Sequence, residues 1–208
     1  MVHQRQVGRK RHDARLLTRG IHLEYITLGW NIVSIVVLAI AALRAHSVAL
    51  WGFGFDSLIE IGASTVVLSE LSGEGEARQR RALHAIGVAF VVLATYVAVQ
   101  SVVVLVARYR PTHSPLGIIW TSVTAALMFA LARGKAVTGK ALDNRVLEQE
   151  GRVTFIDGLL ATSVLVGLVL NSAFDLWWAD PLAGFVIVFY GIKEARTIFI
   201  DLKPSGHS

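Results

Sequence analysis

Six stretches of the chain are almost continuously apolar, and short polar or charged segments separate them. They fall at 21–43, 49–71, 82–106, 116–132, 153–171 and 176–192. Runs of about 17–25 residues carry a helix across a hydrocarbon core of ~30 Å at about 1.5 Å per residue. A membrane barrel would instead show alternating segments of about ten residues. The pattern therefore predicts an all-α polytopic membrane protein with six transmembrane helices. The fourth run is short, and the sixth is interrupted by Asp180.

Composition adds little room for anything else. The chain has 208 residues, 54% of them hydrophobic, and a mean hydropathy of +0.57. The division expected is a basic cytoplasmic N-terminal arm over 1–20, a six-helix membrane domain over 21–200, and a short tail over 201–208 with no cytoplasmic domain. The N-terminus is too polar, and the first run too long, for a cleavable signal. There are no cysteines, which excludes disulfides and thiolate metal sites.

Charge orients the helices. With the N-terminus inside, seventeen Lys and Arg residues fall on the cytoplasmic side, and only Arg44, Arg108 and Arg110 fall outside. This positive-inside bias predicts that both termini are cytoplasmic. It also accounts for the formal charge of +5 without nucleic acid. Trp177 and Trp178 sit where interfacial aromatics sit, and Asp180-Pro181 reads as the cap and first residue of the sixth helix. The segment 134–152 is rich in charges and helix formers, and is expected to extend its two neighbouring helices into water.

Acids inside such helices need an explanation, because a charge near the bilayer centre costs at least ~2.5–3.5 kcal/mol. Asp56 and Glu60 lie in the second span and Asp157 in the fifth. The first two are four residues apart, within about 40° on one helical face. Two ionised carboxylates that close repel unless a proton or a cation sits between them. Gly52, Gly54 and Gly62 flank the pair, and Gly158 adjoins Asp157. Three carboxylates on two helices would make an oxygen-rich site for a divalent cation. The competing structural reading is a protonated carboxyl that bonds neighbouring helices. Other polar positions read as structural: His22 and Glu24 at the first interface, Asn31 and Gln100 as interhelical hydrogen bonders, and His84 at the head of the third span. Glu74, Glu76 and Arg78 read as a solvated loop, and His3, His12 and His207 form no tract.

The second-span stretch Ser47-Val-Ala-Leu-Trp-Gly-Phe-Gly-Phe-Asp56-Ser-Leu-Ile-Glu60 resembles the cation diffusion facilitator family, in which two metal-binding acids stand four apart. Val153-Thr-Phe-Ile-Asp157-Gly in the fifth span is similar to that family's second acidic motif, and Trp178-Ala-Asp180-Pro181-Leu-Ala to the opening of its sixth span. The resemblance covers about residues 22–200 and implies a homodimeric exporter of divalent metal driven by proton exchange. By analogy the metal would be held by Asp56, Glu60, position 153 and Asp157. Three departures stand out. Glu60 replaces the usual Asp, Val153 cannot ligate, and the family's cytoplasmic domain has no counterpart. Glu150, seven residues before Asp157, is the candidate accessory ligand. Zn²⁺ is favoured by the resemblance, an all-oxygen site also suits Mn²⁺, and Fe²⁺, Cd²⁺ and Co²⁺ belong to the same class.

The expectation is thus a secondary transporter in the plasma or bacterial inner membrane. Its partners would be divalent ions, protons, the bilayer and a second copy of itself, with no resident cofactor. One alternative is a non-transporting membrane partner that keeps the fold with a degenerate site, as Val153 permits. Another is a channel using the same acids. No nucleophile–base arrangement or cofactor motif suggests an enzyme.

Overall fold

The computed structural model describes the backbone over residues 2–71 and 76–201, with side chains omitted for residues 2–13, 63, 66–67, 69–71, 76–79, 81–83, 145–146, 149 and 201. Glu74, the 202–208 tail with Lys203 and His207, and the side chains of His3, His12, Glu76, Arg78 and Arg81 lie outside the described set.

Among the described residues six helices follow one another: α1 (Val2–Ala45), α2 (Val48–Leu71), α3 (Glu76–Ala107), α4 (Pro115–Leu142), α5 (Arg145–Phe174) and α6 (Ala179–Asp201). Each apolar run predicted from the sequence lies within a helix, apart from the first residues of the sixth. The helices are longer than the runs because charged flanks are also good helix formers. The basic arm continues α1 without a break, and α4 runs to Leu142 rather than stopping near 132.

Local chemistry sets the ends. Ser114 accepts a hydrogen bond from the Gly117 amide at the start of α4, with Pro115 behind it, and Asn144 accepts one from the Leu147 amide at the start of α5. These are N-caps that satisfy otherwise unpaired first-turn amides. Helices α4 and α5 end on left-handed Asp143 and Asp175, short polar residues that tolerate that conformation.

The chain packs as one bundle. Helix α4 lies along α5 and α3 along α6, α1 sits between α2 and α4, and α2 also reaches α3, α5 and α6. Apolar side chains face outward: Phe189, Val92 and Ile119 are more than 60% exposed. The interior holds an apolar core around Leu38, Leu50, Val97 and Val164, and beside it gathers buried Ser, Thr, Asn, Asp, Glu and Lys135. A water-soluble bundle would cover such an exterior with polar side chains, so an apolar solvent around the helices accounts for this one. Among the described residues, four helices are long and apolar enough to span a membrane by themselves: α1 from Ala14, α3 from His84, α4, and α5 from Glu150. In α2 the apolar run is broken by Asp56 and Glu60, and in α6 by Asp180, Lys193 and Glu194. Both still pack into the same bundle.

One end of the bundle is tied by its connections. The Thr112 amide donates to the Ala45 carbonyl at 2.9 Å, Asn171 Nδ2 donates to the Pro111 carbonyl at 3.1 Å, and His113 meets Asp175 at 3.3 Å. Asp180 belongs to this layer, and here the sequence reading needs correction. It does not cap its own helix, which begins one residue earlier. Its carboxylate accepts from the Ser47 hydroxyl and from the Val48 and Ala49 amides, so it caps α2 from α6.

Candidate metal centre

The polar interior is built from helical periodicity. On α1, Glu24, Thr27, Asn31 and Ser34 recur at intervals of three or four and are all buried. On α2 the buried set is Asp56, Ser57, Glu60 and Ser64, and on α5 it is Glu150, Thr154 and Asp157. Such spacing places each set on one face of its helix. The faces meet because α1 packs on α2, and α2 on α5. Toward α4, α1 is fixed by two reciprocal bonds: Trp30 Nε1 donates to Thr124 and Trp120 Nε1 to Ser34, while the two indoles stack at 4.7 Å.

Glu60 and Asp157 come together where α2 meets α5, close enough for their carboxyl groups to share a hydrogen bond. Asn31 Nδ2 donates to Glu60 Oε2 at 2.7 Å. That leaves Glu60 Oε1 and Asp157 Oδ2 buried with no donor from the protein. Buried acceptor oxygens on two neighbouring carboxyls call for a positive partner, either a proton or a cation. Asp56, one turn earlier on α2, is 5% exposed and lies in the same electrostatic neighbourhood. Among the described residues, no three His, Cys, Asp or Glu side chains are already arranged as a metal-binding cluster. Two of the three acids predicted from the sequence are in contact, and the third stands apart. Val153 is half-buried and offers no ligand.

Lys135 had been placed in a solvated connection. It is instead fully buried in α4. Its Nζ lies 3.1 Å from Glu24 Oε2, 3.3 Å from Glu150 Oε1 and 3.1 Å from Thr154 Oγ1. Glu24 therefore lies in the interior rather than at the interface, and Glu150 is bonded to Lys135. Small residues cause this. A Cβ on Gly151 would stand 2.8 Å from the Ala136 amide nitrogen, and one on Gly139 would stand 2.6 Å from that of Glu148. Only glycine allows the α4 and α5 backbones to approach this closely, and the approach brings the base of α4 out of water. The pattern of buried polar residues on α1 and α5 was visible in the sequence, but nothing in it marked Lys135 as their partner. His22 stays exposed and bonds its own helix at the Thr18 carbonyl, and His84 is exposed against Phe199.

A helical bundle with an apolar exterior and buried acids inside defines an integral membrane protein. The model of the cation efflux transmembrane domain matches residues 82–204, more than half of the chain. The chain belongs to the cation efflux family, whose members carry divalent metal cations across membranes and are not enzymes. The match begins at the third helix, so it includes Asp157 and leaves out Asp56 and Glu60. Transmembrane protein 163 from Xenopus laevis is 25% identical over 191 residues, covering 85% of this chain and 66% of the relative. The chain thus spans just under two thirds of that protein's length.

Proposed function

We propose that this chain is a secondary transporter that moves a divalent metal cation out of the cytoplasm in exchange for protons. All six helices cross the membrane in this reading, with both termini in the cytoplasm. The observation that carries it is the pair of unpartnered oxygens on Glu60 and Asp157, buried on two different helices with Asp56 one turn away.

Three ionised carboxylates open to the cytoplasm take a divalent cation from water. Helix movements then expose the site outward, where protons compete for the same oxygens and release the metal. Coupling arises because each oxygen holds either proton or metal, not both. The donor set is oxygen alone, and carboxylate oxygen accepts both Zn²⁺ and Mn²⁺. We favour zinc on the family likeness. Glu150 serves as the accessory acid on the way to Asp157. Assembly as a homodimer in the plasma or bacterial inner membrane completes the reading.

Val153, together with the separation of Asp56 from the Glu60–Asp157 pair, favours one second reading: a non-transporting membrane partner with a degenerate site. Proteoliposomes loaded with a pH dye and offered Zn²⁺, Mn²⁺, Fe²⁺, Cd²⁺ or Co²⁺ distinguish the two. Transport gives metal accumulation with opposite proton flow for at least one ion. No accumulation with any ion, followed by gain of transport in Val153→Asp, supports the partner reading, and conductance without metal supports a channel.

A further inference from the structure

Lys135 does more than fill the polar interior, and the charges around it show why. Its ammonium has three N–H donors, directed at Glu24, Glu150 and Thr154. Ionised, the two carboxylates carry two negative charges against one positive. The surplus is visible as Glu24 Oε1, which is fully buried and accepts nothing. With Glu24 Oε1 left without a donor, the cluster has room for a further positive group, a proton or a cation.

The position is equally informative. Glu150 and Asp157 are seven residues apart on one face of α5, about 10 Å along the helix, with Thr154 between them. Glu24 and Asn31 repeat that interval on α1, and Asn31 bonds Glu60. Two polar layers, with the same spacing on both helices, therefore join the Lys135 cluster to the Glu60–Asp157 pair. The Lys135 layer is the one nearer the α4–α5 turn.

We propose that Glu24, Glu150 and the Thr154 hydroxyl form a second divalent-cation site, which the Lys135 ammonium occupies in this conformation. An arriving dication displaces this tethered cation, balances both carboxylates, and then passes to the deeper pair. Lys135 thus acts as the resident plug of the path. This inference rests on the transport reading for its direction, while the site itself stands on its own geometry.

Two measurements on the full-length chain in detergent test it, with Mn²⁺ as the probe. Equilibrium dialysis compares Asp157→Asn with Lys135→Gln/Asp157→Asn. Both variants are expected to bind one Mn²⁺ at this site, the double variant about tenfold more tightly because no ammonium has to be displaced, and Glu24→Gln added to it abolishes that ion. Equal Mn²⁺ affinity in the two variants, or a double variant that does not fold even with Mn²⁺ present, overturns the proposal. The wild-type chain supplies the second readout. Lys135 resists reductive methylation without metal, and saturating Mn²⁺ raises its labelling about tenfold relative to Lys140. Labelling of Lys135 unchanged by Mn²⁺ overturns the displacement. Failure of wild type to lose Mn²⁺ on Asp157→Asn contradicts the deeper site instead, and leaves the outcome at Glu24 and Glu150 separately readable.

Discussion

Asn31 Nδ2 donates to Glu60 Oε2 at 2.7 Å and so joins α1 to the acid pair between α2 and α5. This bond fixes which Glu60 oxygen is spoken for and leaves Oε1 buried without a donor from the protein. Partners that orient a ligand typically contribute 10–100-fold, as an order of magnitude, to metal affinity. Replacing Asn31 with Leu should weaken metal binding by about that factor while leaving the bundle folded. Isothermal titration of the purified variant checks it, and affinity equal to wild type would show that Glu60 needs no support from α1.

Metal binding should weaken as the solution is acidified. The sign follows from the chemistry of the site: protons and metal seek the same carboxylate oxygens, so lower pH favours the protonated, metal-free form. The expected loss is about tenfold per pH unit for each proton displaced. Titrations between mildly acidic and mildly alkaline buffer give the slope directly. A flat profile would mean that no acid in the site exchanges a proton for metal.

Asp180 should matter for stability and not for metal. Its carboxylate satisfies the first amides of α2 from another helix. Asp180→Ala leaves those buried donors empty, at about 1–3 kcal/mol for each unsatisfied group. The unfolding midpoint in denaturant should fall, and metal affinity measured on the folded fraction should not change.

Gly151, like Gly139, marks a close approach of α4 and α5 beside Lys135. A valine there meets the Ala136 amide nitrogen and Ala132 carbonyl oxygen at contact distances of 2.8 and 3.1 Å already at Cβ. The helices must separate, at about 1–3 kcal/mol for overpacking. Gly151→Val should lower the unfolding midpoint, and Gly158→Ala, which meets only the movable Phe129 ring, should lower it less.

Helix number and approximate helix positions were legible in the sequence because run length against bilayer thickness is a simple constraint. Asp56, Glu60 and Asp157 stood out for the same reason: a charge inside an apolar run costs energy and must be matched. Lys135 was not legible. A basic residue just past the end of a hydrophobic run reads as a loop cation, and only the close approach at Gly139 and Gly151 reveals that it is buried. Its removal from the cytoplasmic count still leaves the positive-inside bias strong. Asp180 shows the same limit differently, since a capping residue could be recognised but not which helix it caps. Partners across helices depend on packing, and one sequence records only the periodicity of each face.

The central claim is that acids on α2 and α5 share a cation inside the membrane, and metal-driven proton flux in proteoliposomes tests it most directly. Wild type is expected to alkalinise the lumen as metal enters it, and Asp157→Ala and Asp56→Ala each to abolish that response at equal reconstitution. Flux at the wild-type level in both variants would contradict the claim.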